Sequence, residues 1–275
     1  MSRNRPILVA VAAVVIVAAC GSPTDSTRSA SSVIVNPRTS MAVPPGSEAF
    51  AAFASMDWPR AAALLAPLDQ NDPLVERSLA VALHHSGSVE QAVTIFERRR
   101  AAGRADAGEL EILAGYYEES GKPVLAEQLL QDVLARQPGN DKALGQLGQL
   151  LLHGPDPERS RPSFEELYRL DPTDYSRILL VGIARRADGD SVAATAASDE
   201  LVTRFATKAE PFRERAWNLL SIDDYFGALA ANDQALERDP NDQATLSQRD
   251  AIVLAGERAA AAPAAAPTNL PEETP

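Results

Sequence analysis

Apolar residues recur every three or four positions along most of the chain, in short runs separated by glycine, proline or acidic turns. The stretch 107–140 is representative. Its first half places Leu110, Leu113 and Tyr117 on one helical face, and its second half repeats the pattern after Gly121. This spacing follows the 3.6-residue period of an amphipathic helix and not the two-residue alternation of a strand. The pattern predicts an all-α protein built from pairs of helices.

The helix pairs recur at a fixed distance along the chain. Pro138, Pro172 and Pro240 each follow a predicted second helix, and they lie 34 and 68 residues apart, one and two lengths of a single period. Proline ends the helix before it because it lacks an N–H and restricts the preceding residue. The Asn or Asp that follows caps the next helix. Five units join without an insertion, over residues 73–106, 107–140, 141–174, 175–208 and 209–242.

A helix pair of this period resembles the tetratricopeptide repeat (TPR), whose pattern of small and large positions unit 107–140 follows closely. The resemblance implies a right-handed α-solenoid of about five hairpins over residues 48–260. Capping helices close both of its ends. The N-terminal cap is a helix pair split at the sequence MDWPR, and the C-terminal cap is a helix over 243–260.

One unit departs from the pattern at its turn. Pro155, Pro157 and Pro162 cannot lie inside a regular helix, so the second helix of unit 141–174 is predicted to begin late, with Pro162 in its first turn. Small residues such as Gly148 and Gly182 are predicted to let the two helices of a unit approach closely.

The first nineteen residues have the pattern of a lipoprotein signal peptide: the basic segment MSRNR, an apolar stretch, and then VAAC, which ends at Cys20. The sequence resembles the bacterial lipobox, which implies that Cys20 carries the lipid. Cys20 is also the sole cysteine of the chain. Residues 20–47 are rich in Ser, Thr, Pro and Gly and predict a flexible tether. Residues 261–275 predict a disordered Ala/Pro-rich tail.

These features predict an extracytoplasmic, membrane-anchored protein. Gly21, which follows the cysteine, favours the periplasmic face of the outer membrane in a diderm bacterium. In a monoderm bacterium the same sequence favours the outer face of the plasma membrane. The net charge of −12, with no basic patch, argues against a nucleic-acid partner.

The sequence predicts no catalytic chemistry, no metal, no cofactor and no small-molecule substrate. His84, His85 and His153 lack the spacing of a zinc site and are expected to face solvent. The acidic pairs, such as Glu118–Glu119, are neighbours on one helix and point about 100° apart, unlike the facing carboxylates of a glycosidase. Nucleophile and phosphate-binding motifs are absent from the sequence.

The TPR resemblance implies a concave groove, lined by the first helices of successive units, that receives a peptide or a helix of another protein. The predicted partner-binding residues are Arg77, Lys142, Gln149, Leu179, Ile183, Arg186, Arg213 and Trp217. Leu179, Ile183 and Trp217 are expected to form an apolar strip, with Trp217 as its anchor. The alternative is that Ile183 and Trp217 pack as ordinary core. The Lys/Asn clamp of chaperone-binding members is missing, because Arg77 stands with Val81 and Glu111 with Gly115.

The sequence thus predicts a non-catalytic, lipid-anchored scaffold that binds another protein of the cell envelope. It resembles the small repeat lipoproteins of pilus and secretion machines, including pilotins and those of tight-adherence pilus systems. This step rests on fold-level similarity. The alternative in the same class is an adaptor for peptidoglycan enzymes or for outer-membrane protein assembly. An enzyme or a solute-binding lipoprotein would need α/β alternation and a closed pocket.

Overall fold

The computed structural model describes residues 47–261, which fold entirely into helices and turns. The chain divides into two compact bodies, whose described parts are residues 47–172 (the N-terminal body) and 173–261 (the C-terminal body). The predicted signal peptide, Cys20, the tether before residue 47 and the tail after 261 lie outside the described residues.

The N-terminal body consists of four helical hairpins, each packed on the next in chain order. Its helices are α1 (Glu48–Ala54), α2 (Trp58–Leu65), α3 (Pro73–His85), α4 (Val89–Ala101), α5 (Ala107–Glu119), α6 (Pro123–Arg136), α7 (Asp141–Leu152) and α8 (Arg161–Leu170), with a 3₁₀ turn at Pro157–Ser160 before α8. A continuous core runs between them and includes the fully buried Phe96, Leu113 and Leu130.

The C-terminal body holds two hairpins and a final helix. Its helices are α9 (Tyr175–Ala187), α10 (Ser191–Arg204), α11 (Glu210–Ser221), α12 (Tyr225–Arg238) and α13 (Gln243–Ala261). Ile252 of α13 is fully buried against Ala216 of α11 and Ala228 of α12, so the last helix covers the end of the last hairpin. Consecutive packing of hairpins in both bodies confirms the predicted all-α architecture.

Most first helices begin directly after an acidic or amide residue that ends the preceding segment. Side-chain oxygens of the N-cap residues accept hydrogen bonds from backbone N–H groups of the first turn in α3, α5, α7 and α9, whose caps are Asp72, Asp106, Asn140 and Asp174. Asp242 likewise accepts a hydrogen bond from the backbone N–H of Ala244 at the start of α13. Ala209, which precedes α11, offers no such side chain. The caps occupy the N–H groups that a helix leaves without partners.

Two glycines allow close contact within a hairpin. A Cβ atom built on Gly148 of α7 would lie 2.5 Å from Cε1 of Phe164 in α8, and one on Gly182 of α9 would lie 3.1 Å from Cβ of Ala197 in α10. The fully buried Phe164 ring therefore occupies space that any larger residue at position 148 would need. The predicted role of these small residues is confirmed.

The turn between the two helices of a unit uses a left-handed residue at one repeated position. Gly87, Gly121 and Gly189 have φ angles of 86°, 69° and 81° there, and Asp223 occupies the same position with φ of 62°. Positive φ is easily adopted by glycine and costs free energy in residues with a Cβ. Unit 141–174 makes its turn differently, through the 3₁₀ segment, and α8 then carries Pro162 in its first turn as predicted.

Candidate partner-binding surface

The predicted partner-binding residues lie on first helices of the units. Arg77 lies on α3, Lys142 and Gln149 on α7, Leu179, Ile183 and Arg186 on α9, and Arg213 and Trp217 on α11. Each position is fixed by the cap that starts its helix and by the apolar face that the helix buries. The sequence placed these residues on the correct helices. Their contacts separate them into a charged group and an uncharged group.

In the N-terminal body, the two basic residues of the set pair with carboxylates at the start or on the side of a neighbouring first helix. Nη1 of Arg77 lies 3.6 Å from Oδ2 of Asp106, the cap of α5. Nζ of Lys142 lies 3.0 Å from Oε2 of Glu111 on α5, and the Glu111 side chain is only 5% exposed. The amide Nδ2 of Asn140 donates to the other Glu111 oxygen over 2.8 Å.

The C-terminal body repeats this arrangement. Nη1 of Arg186 on α9 lies 2.9 Å from Oε2 of Glu214 on α11, and it also donates to Oδ1 of Asn218 over 2.8 Å. Nη1 of Arg213 on α11 lies 2.7 Å from Oδ2 of Asp242, the cap of α13. All four basic residues of the predicted set thus join one first helix to the cap or side chains of the next. We call these four contacts the first-helix ion pairs.

The Arg213–Asp242 pair is largely enclosed, with only 8% of the Arg213 side chain exposed. Burial alone would raise the pKa of Asp242, but hydrogen bonds from Thr245, Arg213 and the Ala244 N–H leave it below its usual value. Gln248 of α13 donates to the Arg213 backbone oxygen over 2.9 Å. This pair consequently fastens the final helix to the last hairpin.

The uncharged members of the predicted set are not equally accessible. Leu179 and Ile183 are buried, with 8% and 7% exposure, so they pack as core side chains. Trp217 and Gln149 are half-buried. The indole N–H of Trp217 is shielded from solvent and finds no acceptor within the described residues. Of the predicted apolar strip, Trp217 is the member that reaches the surface.

Known structures share the sequential packing of these hairpins. A tetratricopeptide repeat protein from Parabacteroides merdae ATCC 43184 superposes with a TM-score of 0.60 at 15% identity, over 76% of this chain and 84% of that one. YrrB, a TPR protein with an unusual peptide-binding site, superposes with a TM-score of 0.57 at 15% identity, over 66% and 94% of the two chains. MamA of Desulfovibrio magneticus RS-1 gives 0.54 at 18% identity, over 62% and 96%. The fold is the tetratricopeptide-repeat fold.

No protein-family model and no curated protein matches the sequence. At these low identities the structural matches establish the fold. Among residues 47–261, no group of His, Cys, Asp and Glu side chains is arranged to hold a metal ion. Within the same range, no helix combines the length and the apolar character needed to cross a membrane.

The histidines differ from the expectation of solvent-facing residues. His85 and His153 are exposed, but only 13% of the His84 side chain is. The His84 ring stacks on Tyr116 of the next TPR unit at 3.8 Å, and its Nε2 lies 2.6 Å from Oε2 of Glu119. The expectation is therefore wrong for His84, because stacking between units covers it. Burial, together with the neighbouring His84, lowers the pKa of His85.

A buried ionic cluster in the N-terminal body was missed by the sequence analysis. Arg99 of α4, 4% exposed at its side chain, makes a two-point contact with Glu109 of α5 through Nε and Nη2, at 3.0 and 2.9 Å. Its Nη1 also lies 2.7 Å from Glu76 of α3, a fully buried carboxylate that Arg98 contacts as well. One signal was available: Arg99 follows the buried Phe96 by three positions and so falls on the same helical face.

Proposed function

We propose that this protein is a non-catalytic scaffold that binds another protein of the cell envelope and is held at a membrane by a lipid on Cys20. The observation that carries the proposal is the stack of TPR hairpins, whose first helices leave the half-buried Trp217 partly exposed. A partly exposed tryptophan on such a helix can anchor an apolar side chain of a partner.

The first-helix ion pairs bear on the kind of partner. Arg77, Lys142, Arg186 and Arg213 already pair with carboxylates of neighbouring segments. An acidic peptide would have to displace these partners, so capture of a terminal carboxylate by these cations is disfavoured. A helix or an extended segment with an apolar side chain that packs on Trp217 fits the surface better.

The sequence VAAC, which ends at Cys20, supports the membrane anchor. Several acyl chains attach a protein to a bilayer stably where one chain does not. We propose that the protein lies at the periplasmic face of the outer membrane if its bacterium is diderm, since Gly21 rather than Asp follows the cysteine. In a monoderm bacterium the proposed place is the outer face of the plasma membrane.

Lipidation is tested by expressing the wild-type chain and a Cys20→Ala variant in bacteria that are fed a radiolabelled fatty acid. The wild-type protein is expected to incorporate the label and to sediment with membranes, and the variant is expected to do neither. Label in the Cys20→Ala chain, or none in the wild type, would refute the anchor and leave the TPR scaffold standing.

The specific role that we propose is assistance in the assembly of a pilus or a secretion machine, in the manner of a pilotin-like TPR lipoprotein. Adaptors of peptidoglycan enzymes or of outer-membrane protein assembly are the alternative. Both roles use the same surface, so they differ in the partner and not in the mechanism.

The partner is identified by crosslinking the protein in native membranes and sequencing the captured proteins by mass spectrometry, with Trp217→Glu and Val124→Glu chains in parallel. Val124 is 65% exposed in the N-terminal body, so it controls for the added charge. We expect a secretin or another pilus-assembly subunit with the wild type and the control, and its loss with Trp217→Glu. Capture of cell-wall enzymes instead would favour the alternative role. Undiminished capture by a folded Trp217→Glu chain would refute the proposed surface.

A further inference from the structure

Three apolar side chains of the C-terminal body are exposed at the turns between helices. Phe226 is 89% exposed, Val192 is 84% exposed and Ile222 is 50% exposed. Val192 and Phe226 are the second residues of α10 and α12 and lie 34 residues apart, so they are equivalent positions of successive TPR units. A phenylalanine in water forgoes about 2 kcal/mol that its burial would provide. Phe226 contributes little to the folded core at this exposure.

The three side chains lie along one edge of the C-terminal body. The hydroxyl oxygens of Ser191 and Ser221 are 3.4 Å apart. Val192 directly follows the first serine and Ile222 the second, so the two turns adjoin. Phe226 extends the same edge from the first turn of α12. We call Val192, Ile222 and Phe226 the turn-edge patch.

The turn that holds Ile222 and leads to Phe226 is acidic. Residues 221–227 include Asp223 and Asp224, both exposed, and contain no lysine or arginine. The Tyr225 hydroxyl donates to Oδ1 of Asp223 over 2.9 Å, which holds that carboxylate beside the patch. An apolar centre with a carboxylate rim complements a segment that carries an apolar anchor among basic residues.

We propose that the turn-edge patch docks a cationic amphipathic segment of another protein, in which an aromatic or aliphatic side chain packs on Phe226 while Lys or Arg residues face Asp223 and Asp224. This inference rests on the proposed protein-binding function and assigns a second surface to it, separate from Trp217. A symmetric pair of these chains would place the aspartates of one copy against those of the other. An anionic lipid surface would repel the same carboxylates.

The test uses the full chain in nanodiscs of neutral phosphatidylcholine and a fluorescein-labelled 15-residue amphipathic helix of leucine and lysine. A second peptide has glutamate in place of every lysine. Fluorescence anisotropy is measured for the wild type and for the Phe226→Ser and Val192→Ser variants. Val124→Ser is the matched control, because Val124 is the exposed apolar residue at the same repeat position in the N-terminal body. Circular dichroism confirms that each variant is folded.

We expect the lysine peptide, and not the glutamate peptide, to bind the wild type. Binding should weaken at least about tenfold in Phe226→Ser and stay unchanged in Val124→Ser. Asp223→Asn should weaken binding and reduce its dependence on salt. No binding of the lysine peptide, or equal binding by Phe226→Ser, overturns the proposal. If Phe226→Ser instead abolishes pairing of nanodiscs in mass photometry, or co-flotation with phosphatidylglycerol vesicles, the occupant is a second copy or a lipid surface and the proposal is wrong.

Failure of the turn-edge proposal can be distinguished from failure of the proposed scaffold function. If crosslinking finds a partner that needs Trp217 while the peptide test fails, the turn-edge proposal alone is refuted. If the peptide binds at Phe226 but crosslinking in native membranes captures no protein, the proposed scaffold function is the one that fails.

Discussion

At the scale of single residues, the environment of a side chain determines whether it stabilises the fold or remains available to a partner. Arg99 and Arg100 are neighbours on α4, yet Arg99 is buried between Glu76 and Glu109 while Arg100 pairs with Glu97 at the surface. Burial alone would raise the pKa of Glu76, but its hydrogen bonds with Arg99 and Arg98 leave that pKa lowered. The Glu76 carboxylate thus stays ionised inside the N-terminal body.

Replacing Arg99 by methionine is therefore expected to destabilise the protein by about 3 kcal/mol, because two buried carboxylates lose their shared cation. Arg100→Met, which breaks an exposed pair, should cost less than about 1 kcal/mol. Urea denaturation followed by circular dichroism measures both. Equal effects of the two substitutions would show that the buried cluster has no special role in stability.

Asp223 permits a second test at this scale, since it holds a positive φ where three other units have glycine. Asp223→Gly relieves the steric cost of that conformation but adds flexibility to the unfolded chain and removes the hydrogen bond from Tyr225. We expect a net gain of about 0.5 kcal/mol.

The reverse change, Gly189→Asp, should cost about 1 kcal/mol at the equivalent turn. Thermal unfolding of both variants gives the comparison. A loss of stability in Asp223→Gly would mean that the Tyr225 contact outweighs the backbone strain.

At the scale of elements, the two helices of a hairpin meet where a small residue of the first faces a larger one of the second. The Phe164 ring of α8 lies against Gly148 of α7. A Cβ atom on Gly148 would lie 2.5 Å from Cε1 of that ring, which is too close for any side chain unless the ring moves. The 3₁₀ turn at Pro157–Ser160 gives this hairpin a connection unlike the glycine turns of its neighbours.

Gly148→Ala should accordingly destabilise the N-terminal body by about 1–3 kcal/mol through overpacking. Gly115 of α5 provides a matched control, because a Cβ atom there meets nothing within 4 Å. Gly115→Ala should be neutral or stabilising by up to about 1 kcal/mol, since alanine is the better helix former. Urea denaturation of the two variants measures both changes in unfolding free energy. A Gly148→Ala substitution that stabilises the protein would refute the close packing.

At the scale of the whole molecule, the 34-residue period made the fold predictable from sequence. Prolines, caps and small residues are local signals, and they gave the unit boundaries and the late start of α8. Contacts between units were not predictable in the same way. Arg77, Lys142, Arg186 and Arg213 were placed on the correct helices, but their pairing depends on which carboxylates the neighbouring helices bring near. Leu179 and Ile183 were predicted to line the groove, but both are buried. An error of one position in the assumed orientation of a helix is enough to move a side chain between the groove and the core.

The pH dependence of stability follows from ionised contacts in both bodies. The pKa values of Glu76 and Asp242 are lowered in the folded protein. A lowered carboxyl pKa stabilises the fold above its unfolded value of about 4 and loses that contribution as the pH falls through the folded pKa. We therefore expect unfolding free energy to decrease below about pH 4 on account of these two groups.

Asp242→Asn isolates the contribution of one of these groups. Asparagine can still cap α13 but cannot ionise, so the variant should be less stable than the wild type at pH 7. It should also lose less stability than the wild type between pH 7 and pH 3. Guanidinium titrations at the two pH values measure both differences. Equal losses of unfolding free energy in the two proteins would show that Asp242 does not contribute to the decrease in stability at low pH.

The first-helix ion pairs also limit how such a chain can change by recombination. Two of them join different 34-residue units: lysine of unit 141–174 with glutamate of unit 107–140, and arginine of unit 175–208 with glutamate and asparagine of unit 209–242. A unit transplanted to either junction would keep its length and still meet a mismatched neighbour. Equal length therefore does not make these units interchangeable.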